Sequence, residues 1–326
     1  MIVEAMTTDY SRRHLLGKLA GGIAALPLVS GEISKMEGHP MNMPIGLELY
    51  TVGKEMEEDP RGTLKQVAAV GYKEVELSPM SKIGAKELRQ MLDEVGLKNP
   101  AGHYMLPDLL KDLDGKMAFA KEMGQHYMVV TVPWIADVSR VKADPKAGQM
   151  GFFMALLSAF TLDDYKWSAE QFNKVGEQVK KAGLQLGYHN HNFEFKKFEG
   201  GVTGYDEFLR LTDADLVKLE MDCGWVTVAG HDPVEYLKKF PERYKLLHIK
   251  DFKKGFTPTH KLGEQGEGAP VPTELGRGGI DYSKIFAATK KGQIDSIFVE
   301  QEPPFKEMPA LEAMKVDYEY LHKLHV

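Results

Sequence analysis

Residues 187–195 read G-Y-H-N-H-N-F-E-F, placing His189, His191 and Glu194 within six positions at the end of an apolar run. Three more such ends lie downstream: Leu-Glu-Met-Asp222-Cys-Gly-Trp225, Leu-Leu-His248-Ile-Lys250-Asp251 and Phe-Val-Glu300-Gln-Glu302. Imidazole and carboxylate donors delivered together suit a divalent ion such as Mn²⁺, Zn²⁺ or Co²⁺, whereas Mg²⁺ prefers an all-oxygen shell. Several buried carboxylates at one point demand a compensating cation, because an unpaired buried charge is costly. Such an ion polarises a bound carbonyl or hydroxyl oxygen and makes the adjacent C–H acidic, and a nearby base then takes the proton.

These residues need a scaffold that brings strand ends together. Short apolar runs alternate with longer amphipathic ones along the chain. Strands are expected over 45–51, 73–77, 99–104, 127–132, 184–189, 216–222, 245–250 and 296–301. Helices are expected over 60–70, 85–95, 106–123, 168–182, 205–211, 233–240, 282–290 and 309–324. Asp232-Pro233 is a helix start, and Gly71, Gly124 and Gly183 stand just past helix ends. Eight strand–helix alternations in roughly 280 residues predict a (β/α)8 TIM barrel. A doubly wound open sheet is disfavoured, since no G-x-G-x-x-G follows the first strand. Two long segments, 135–164 and 253–280, follow the fourth and seventh strands and belong to the C-terminal face, where barrel enzymes build their sites.

Side-chain alternation sorts the strands. Leu186 and Tyr188 share one face of the fifth strand, with His189 and His191 on the other. Asp222, His248, Lys250, Glu300 and Glu302 likewise oppose apolar neighbours. The polar set is therefore expected to point into the barrel mouth. His189, Asp222, His248 and Glu300 form the expected ligand set for one divalent ion, with His191 an alternative to His189. Glu300, His191 and Glu194, the last at the rim, are the candidate bases. Lys250 is a candidate to steady an oxyanion or protonate a leaving hydroxyl, or else to form an ion pair with Glu220 or Glu302. Glu48, Tyr50 and His103 at the ends of the first and third strands are expected substrate contacts. Trp134 and Trp225 are placed to stack on a sugar ring.

The strand-end motifs resemble those of the xylose isomerase-like TIM barrels, over residues 44 to about 325. Gly276-Arg277-Gly278-Gly279-Ile280-Asp281 is similar to that family's glycine-rich turn and is a faint candidate phosphate cradle. The resemblance implies a metal held by Glu, Asp, His and Glu from strands five to eight. Asp222, His248 and Glu300 match, and His189 stands where the first glutamate is expected. In ketose 3-epimerases that glutamate shares the proton shuttle, so its replacement bears on the reaction. The dehydratase-like branch and a further isomerase/epimerase branch both carry a Tyr-His-x-His pattern nearer to this one. The reading is an isomerase or epimerase acting on a neutral or keto sugar through an enediolate. A lyase, dehydratase or keto-glycoside-cleaving enzyme is the alternative, and a noncatalytic carbohydrate-binding barrel stands further off.

The whole chain bounds these readings. Its 326 residues are 43% hydrophobic and 27% charged, with net charge −6, which argues against nucleic-acid binding. Cys223 is the only cysteine, so no internal disulfide forms. Ser11-Arg12-Arg13 followed by an apolar run from Leu19 to Val29 predicts a twin-arginine export signal over 1–31, a linker over 32–43 and a barrel over 44–326. A periplasmic or exported location follows from that signal; without it the protein would be cytoplasmic. The run is too short to span a bilayer, and no other segment qualifies. A homo-oligomer is compatible with the composition.

Overall fold

A computed structural model describes residues 43–78 and 83–324 of the protein. The expected export signal and nearly all of the linker lie outside the described residues. Among the described residues no helix is long and apolar enough to cross a membrane.

Eight parallel strands close into a barrel: β1 (Ile45–Glu48), β2 (Glu74–Leu77), β3 (Lys98–Tyr104), β4 (Tyr127–Val130), β5 (Gln185–His189), β6 (Val217–Asp222), β7 (Tyr244–Ile249) and β8 (Ser296–Val299). Each pairs with its chain neighbour, and β8 returns to β1 to complete the ring. This is the TIM barrel expected from the alternation.

Between the strands run α1 (Gly53–Glu58), α2 (Pro60–Val70), α3 (Ala85–Val95), α4 (Leu106–Lys111), α5 (Leu113–Met123), α6 (Gly148–Ser158), α7 (Leu162–Lys181), α8 (Gly204–Leu211), α9 (Cys223–Val228), α10 (Pro233–Lys239), α11 (Tyr282–Ala287) and α12 (Ala310–His322). The single helix expected over 106–123 is two. Asp112 accepts from Gly115 N and starts a second helix there, a local side-chain cap that competes with a continuous ladder. The segment 135–164 contains α6, which is apolar on every side and so lacks the stripe that betrays a surface helix. The short α9 begins directly at the end of β6. A two-residue antiparallel ladder, Asp251–Phe252 with Pro272–Thr273, braces the long loop after β7.

Tyr188 illustrates the helix-facing side of the strands. Its ring packs at 5.5 Å from Phe172 of α7 and 4.3 Å from Phe208 of α8. Inside the barrel, Ala101, Tyr127, Val129, Leu246 and Phe298 form a separate apolar cluster. Phe298 sits against the backbone of β1: a Cβ at Gly46 would lie 2.5 Å from its ring, so only glycine fits there. His248 lies 6.1 Å from the Phe298 ring, where this plug meets a layer of ionisable side chains.

Candidate metal centre

The polar faces of β5–β8 converge as alternation predicts. One ligand atom from each of His189, Asp222, His248 and Glu300 lies within 4.8 Å of the others, and all four residues are buried. Two imidazoles and two carboxylates in that compass fit a borderline divalent ion. His191 is not part of the set. Its ring lies 4.9 Å from that of His189 and 6.2 Å from Trp225, and its buried Nδ1 has no hydrogen-bond partner.

Three of these four candidate ligands are held from outside the set. His189 Nδ1 is 2.9 Å from Glu220 Oε2, and His248 Nε2 is 2.6 Å from Glu76 Oε2. A carboxylate behind a ligating imidazole fixes its tautomer and ring orientation. Asp222 divides its oxygens. Oδ1 accepts from Trp225 N at 2.7 Å and starts α9, leaving Oδ2 for the cluster. His248 Nδ1 lies 2.9 Å from Glu300 Oε2.

Lys250 crosses the mouth of this set. Its Nζ lies 2.9 Å from Asp222 Oδ2, 2.7 Å from Glu300 Oε2 and 2.7 Å from Glu302 Oε1. It also sits 5.1 Å from the centre of the Trp225 ring, whose Nε1 donates to Glu302 Oε1 at 3.1 Å. Its partners are thus Glu302, Asp222 and Glu300, not Glu220. Burial disfavours the ammonium, but Asp222, Glu300 and Glu302 outweigh it and hold the pKa well above the usual lysine value. Burial likewise raises Glu300, yet Lys250 and His248 outweigh that and hold the carboxyl well below its ordinary range. Burial, reinforced by the Lys250 charge, pushes His191 down to about 3, leaving a neutral ring. A Cβ at Gly224 would lie 2.3 Å from Lys250 Cγ, so the glycine of Asp-Cys-Gly-Trp is the groove along which the lysine stem runs.

The remaining expected residues are distributed unevenly. Tyr50 is 39% exposed and has a raised pKa, from burial and from Glu302 and Glu300, so it borders the mouth. Glu48 and His103 lie below the mouth, with His103 Nε2 3.0 Å from Glu220 Oε2. Trp134 exchanges backbone hydrogen bonds with Ser168 Oγ and packs its ring on the helix-side core. Glu194 is not at the rim. It is fully buried, accepts from the helix-facing Tyr188 hydroxyl and from His191 N, and is raised to about 8 by burial. It shapes the strand end that carries His191. The glycine turn is no phosphate cradle either: Gly276, Gly278, Gly279 and Ile280 all direct their N–H groups to the Asp251 carboxylate.

Sequence reasoning passed over Glu76 and gave Glu220 no role behind the ligands. The available signal was a glutamate alternating with Val75 and Leu77 inside a strand of a buried parallel sheet, where charge is rarely placed without a partner.

Comparisons with known proteins agree with this fold. The profile of the xylose isomerase-like TIM barrel family matches residues 64–324. An inosose dehydratase from Clostridium perfringens is 31% identical over 153 residues, covering 44% of this chain and 50% of that protein. The chain thus spans about half the length of the curated relatives it matches. A sugar phosphate isomerase/epimerase structure from Parabacteroides distasonis superposes with a TM-score of 0.67 at 25% identity, covering 91% of this chain and 98% of that one. A xylose isomerase-like barrel protein from Mycobacterium smegmatis, in complex with magnesium, shares the fold with a TM-score of 0.59 at 17% identity, covering 86% and 95%.

Proposed function

The chain belongs to the xylose isomerase-like TIM barrel family, and on that premise we propose a divalent-metal-dependent enzyme that eliminates a hydroxyl or a glycosidic oxygen β to the carbonyl of a neutral keto sugar. The observation that carries this reading is the Glu300–Lys250 pair, a carboxylate held ionised and an ammonium held protonated 2.7 Å apart at the mouth.

A divalent ion held by His189, Asp222, His248 and Glu300 would supply the Lewis acidity that makes the C–H next to the carbonyl acidic. The chain's own groups then divide the proton work. Glu300 takes the proton from the carbon between the carbonyl and the leaving oxygen. The C–H electrons form the new double bond, and the C–O electrons depart with the oxygen, which receives a proton from Lys250 Nζ. The products are an unsaturated ketone and water or an alcohol. The proton on Glu300 then passes across the 2.7 Å contact to Lys250 and restores both groups. Trp225, fixed by its bond to Glu302 and packed by Lys250 and Phe252, is only 5% exposed and offers the sugar ring its uncovered edge rather than a free face.

The histidine at position 189 favours elimination over epimerisation. Epimerisation needs a second base on the opposite face of the substrate, and His189 is buried with its Nδ1 committed to Glu220. The dehydratase relatives support the same reading. The occupied glycine turn favours a substrate without phosphate. An export signal over 1–31 would place the enzyme outside the cytoplasm; fusing those residues to a reporter tests this.

The test is proton NMR in D₂O on the Mn²⁺-loaded protein with inososes, keto sugars and 3-keto-glycosides. Loss of water or aglycone with growth of an enone absorbance is expected. Solvent deuterium entering one carbon with no group lost would replace elimination with isomerisation or epimerisation.

A further inference from the structure

The proposed ion seat uses strands β5–β8. Facing it across the barrel, β1, β2 and β3 carry Glu48, Glu76 and His103, which share no residue with that seat. Glu48 and Glu76 are direct partners in the β1–β2 register. One ligand atom from each of the three lies within 4.8 Å of the others. His103 Nε2 is 3.3 Å from Glu76 Oε2, and its Nδ1 is 4.0 Å from Glu48 Oε1. Both glutamates have no exposed surface.

Holding the ligands of the first seat accounts for only part of this layer. Glu76 Oε2 is taken by His248, but Glu76 Oε1 is buried with no hydrogen-bond partner. Glu48 touches neither His189 nor His248. Its Oε1 accepts only from Tyr50 N, and its Oε2 has no partner. Glu220, between the two groups, spends Oε2 on His103 and His189, while its Oε1 is again orphaned. Three fully buried carboxylates each thus present an oxygen with nothing to receive. Orphaned polar atoms of this kind are rare in folded proteins, and an ion is one of the few partners that satisfies carboxylates in a dry interior.

We propose that Glu48, Glu76 and His103 form a second divalent-cation seat, with Glu220 lying between it and the first. Two carboxylates and one imidazole make an oxygen-rich set that suits Mn²⁺, with solvent filling the remaining positions. Two ions bridged by a carboxylate form the arrangement in which one orients substrate oxygens while the other shares the developing charge. The inference does not depend on whether the reaction is elimination or epimerisation.

The experiment strips the full chain with EDTA, reloads it with Mn²⁺, and counts bound ions per chain by elemental analysis across a titration. Electron paramagnetic resonance of the same samples reads coupling between neighbouring Mn²⁺ ions. Two ions per chain with a coupled spectrum are expected in the wild type. Glu48→Gln and His103→Asn should each leave one ion and an uncoupled spectrum, and Asp222→Asn should lose the other ion. Circular dichroism melts identify variants that do not fold, and the wild-type count stands without them. A wild-type chain that saturates at one ion, lost on Asp222→Asn, would overturn the second seat and leave the proposed function intact. No ion at any concentration would overturn both.

Discussion

Replacing Lys250 by methionine isolates the charge at the mouth, because methionine keeps most of the stem that runs over Gly224 and beside Trp225. The ammonium is 3% exposed and lies within 2.9 Å of three carboxylates. Removing one member of a buried, hydrogen-bonded charge group costs about 3–5 kcal/mol, since the partners are left uncompensated. At roughly 2–4 °C per kcal/mol for a domain of this size class, the melting temperature without added metal should fall by roughly 6–20 °C. The sign reverses for the ion. With the ammonium gone from beside Asp222 Oδ2 and Glu300 Oε2, Mn²⁺ should bind at least about tenfold more tightly, or about 1.4 kcal/mol. Saturating Mn²⁺ should therefore recover more of the melting temperature in the variant than it adds to the wild type. Turnover should drop by about 10²-fold or more, because the leaving oxygen loses its proton donor. Differential scanning calorimetry with and without Mn²⁺, paired with isothermal titration of the ion, reads both effects. A variant that melts with the wild type in EDTA and binds Mn²⁺ no better would refute the placement of Lys250 among these carboxylates.

Gly224→Ala puts a methyl 2.3 Å from Lys250 Cγ, so it should displace the lysine and reproduce part of the Lys250→Met loss in turnover with a smaller change in stability. Steady-state kinetics and melting of the two single variants and the double variant check this, since coupled residues give non-additive losses. Asp317, buried in α12 and accepting from Leu275 N, has its carboxyl raised by burial to about 8. A raised folded-state value means stability is complete below the unfolded pKa near 4 and is lost as pH climbs through 8, by up to roughly 5 kcal/mol. Asp317→Asn should flatten that slope and make the variant the more stable protein at pH 9, as urea titrations at pH 5, 7 and 9 would show. Asp251→Ala strands the N–H groups of Gly276, Gly278, Gly279 and Ile280, and should cost about 3 kcal/mol or more. Hydrogen exchange should then quicken at those four amides while the barrel strands stay protected.

The strands were legible because each is a short apolar run bounded by turn residues, and because parity alone separates Tyr188 from His189. Parity placed His189, Asp222, His248 and Glu300 on the barrel side but put His191 there too, so it left the choice between the two histidines open. What escaped was whatever one strand cannot report. Lys250's partners sit on β6 and in the segment beyond β8, so their distances depend on how the barrel closes. Glu194 looks like a rim residue in a linear reading, but a single 3₁₀ turn, Phe193–Phe195, folds it back under Tyr188. α6 and α9 were hidden for a different reason, since a helix without a polar face has no period to read. Glu76 and Glu220 lie one layer below the strand ends, where long-range packing rather than local pattern decides whether a carboxylate meets an imidazole.

Asp222 uses one oxygen to start α9 and faces the cluster with the other, while Trp225 sits three residues further on, in the first turn of that helix. The candidate ion seat and the uncovered edge of Trp225 are therefore joined by a single turn of hydrogen-bonded backbone, a ruler of fixed length that no loop motion can stretch. A ring lying against Trp225 would meet the seat at a set depth, and one built a carbon larger or smaller would present a different oxygen there. Selection among sugars by ring size would then be written into the backbone between residues 222 and 225, ahead of any side chain that lines the pocket.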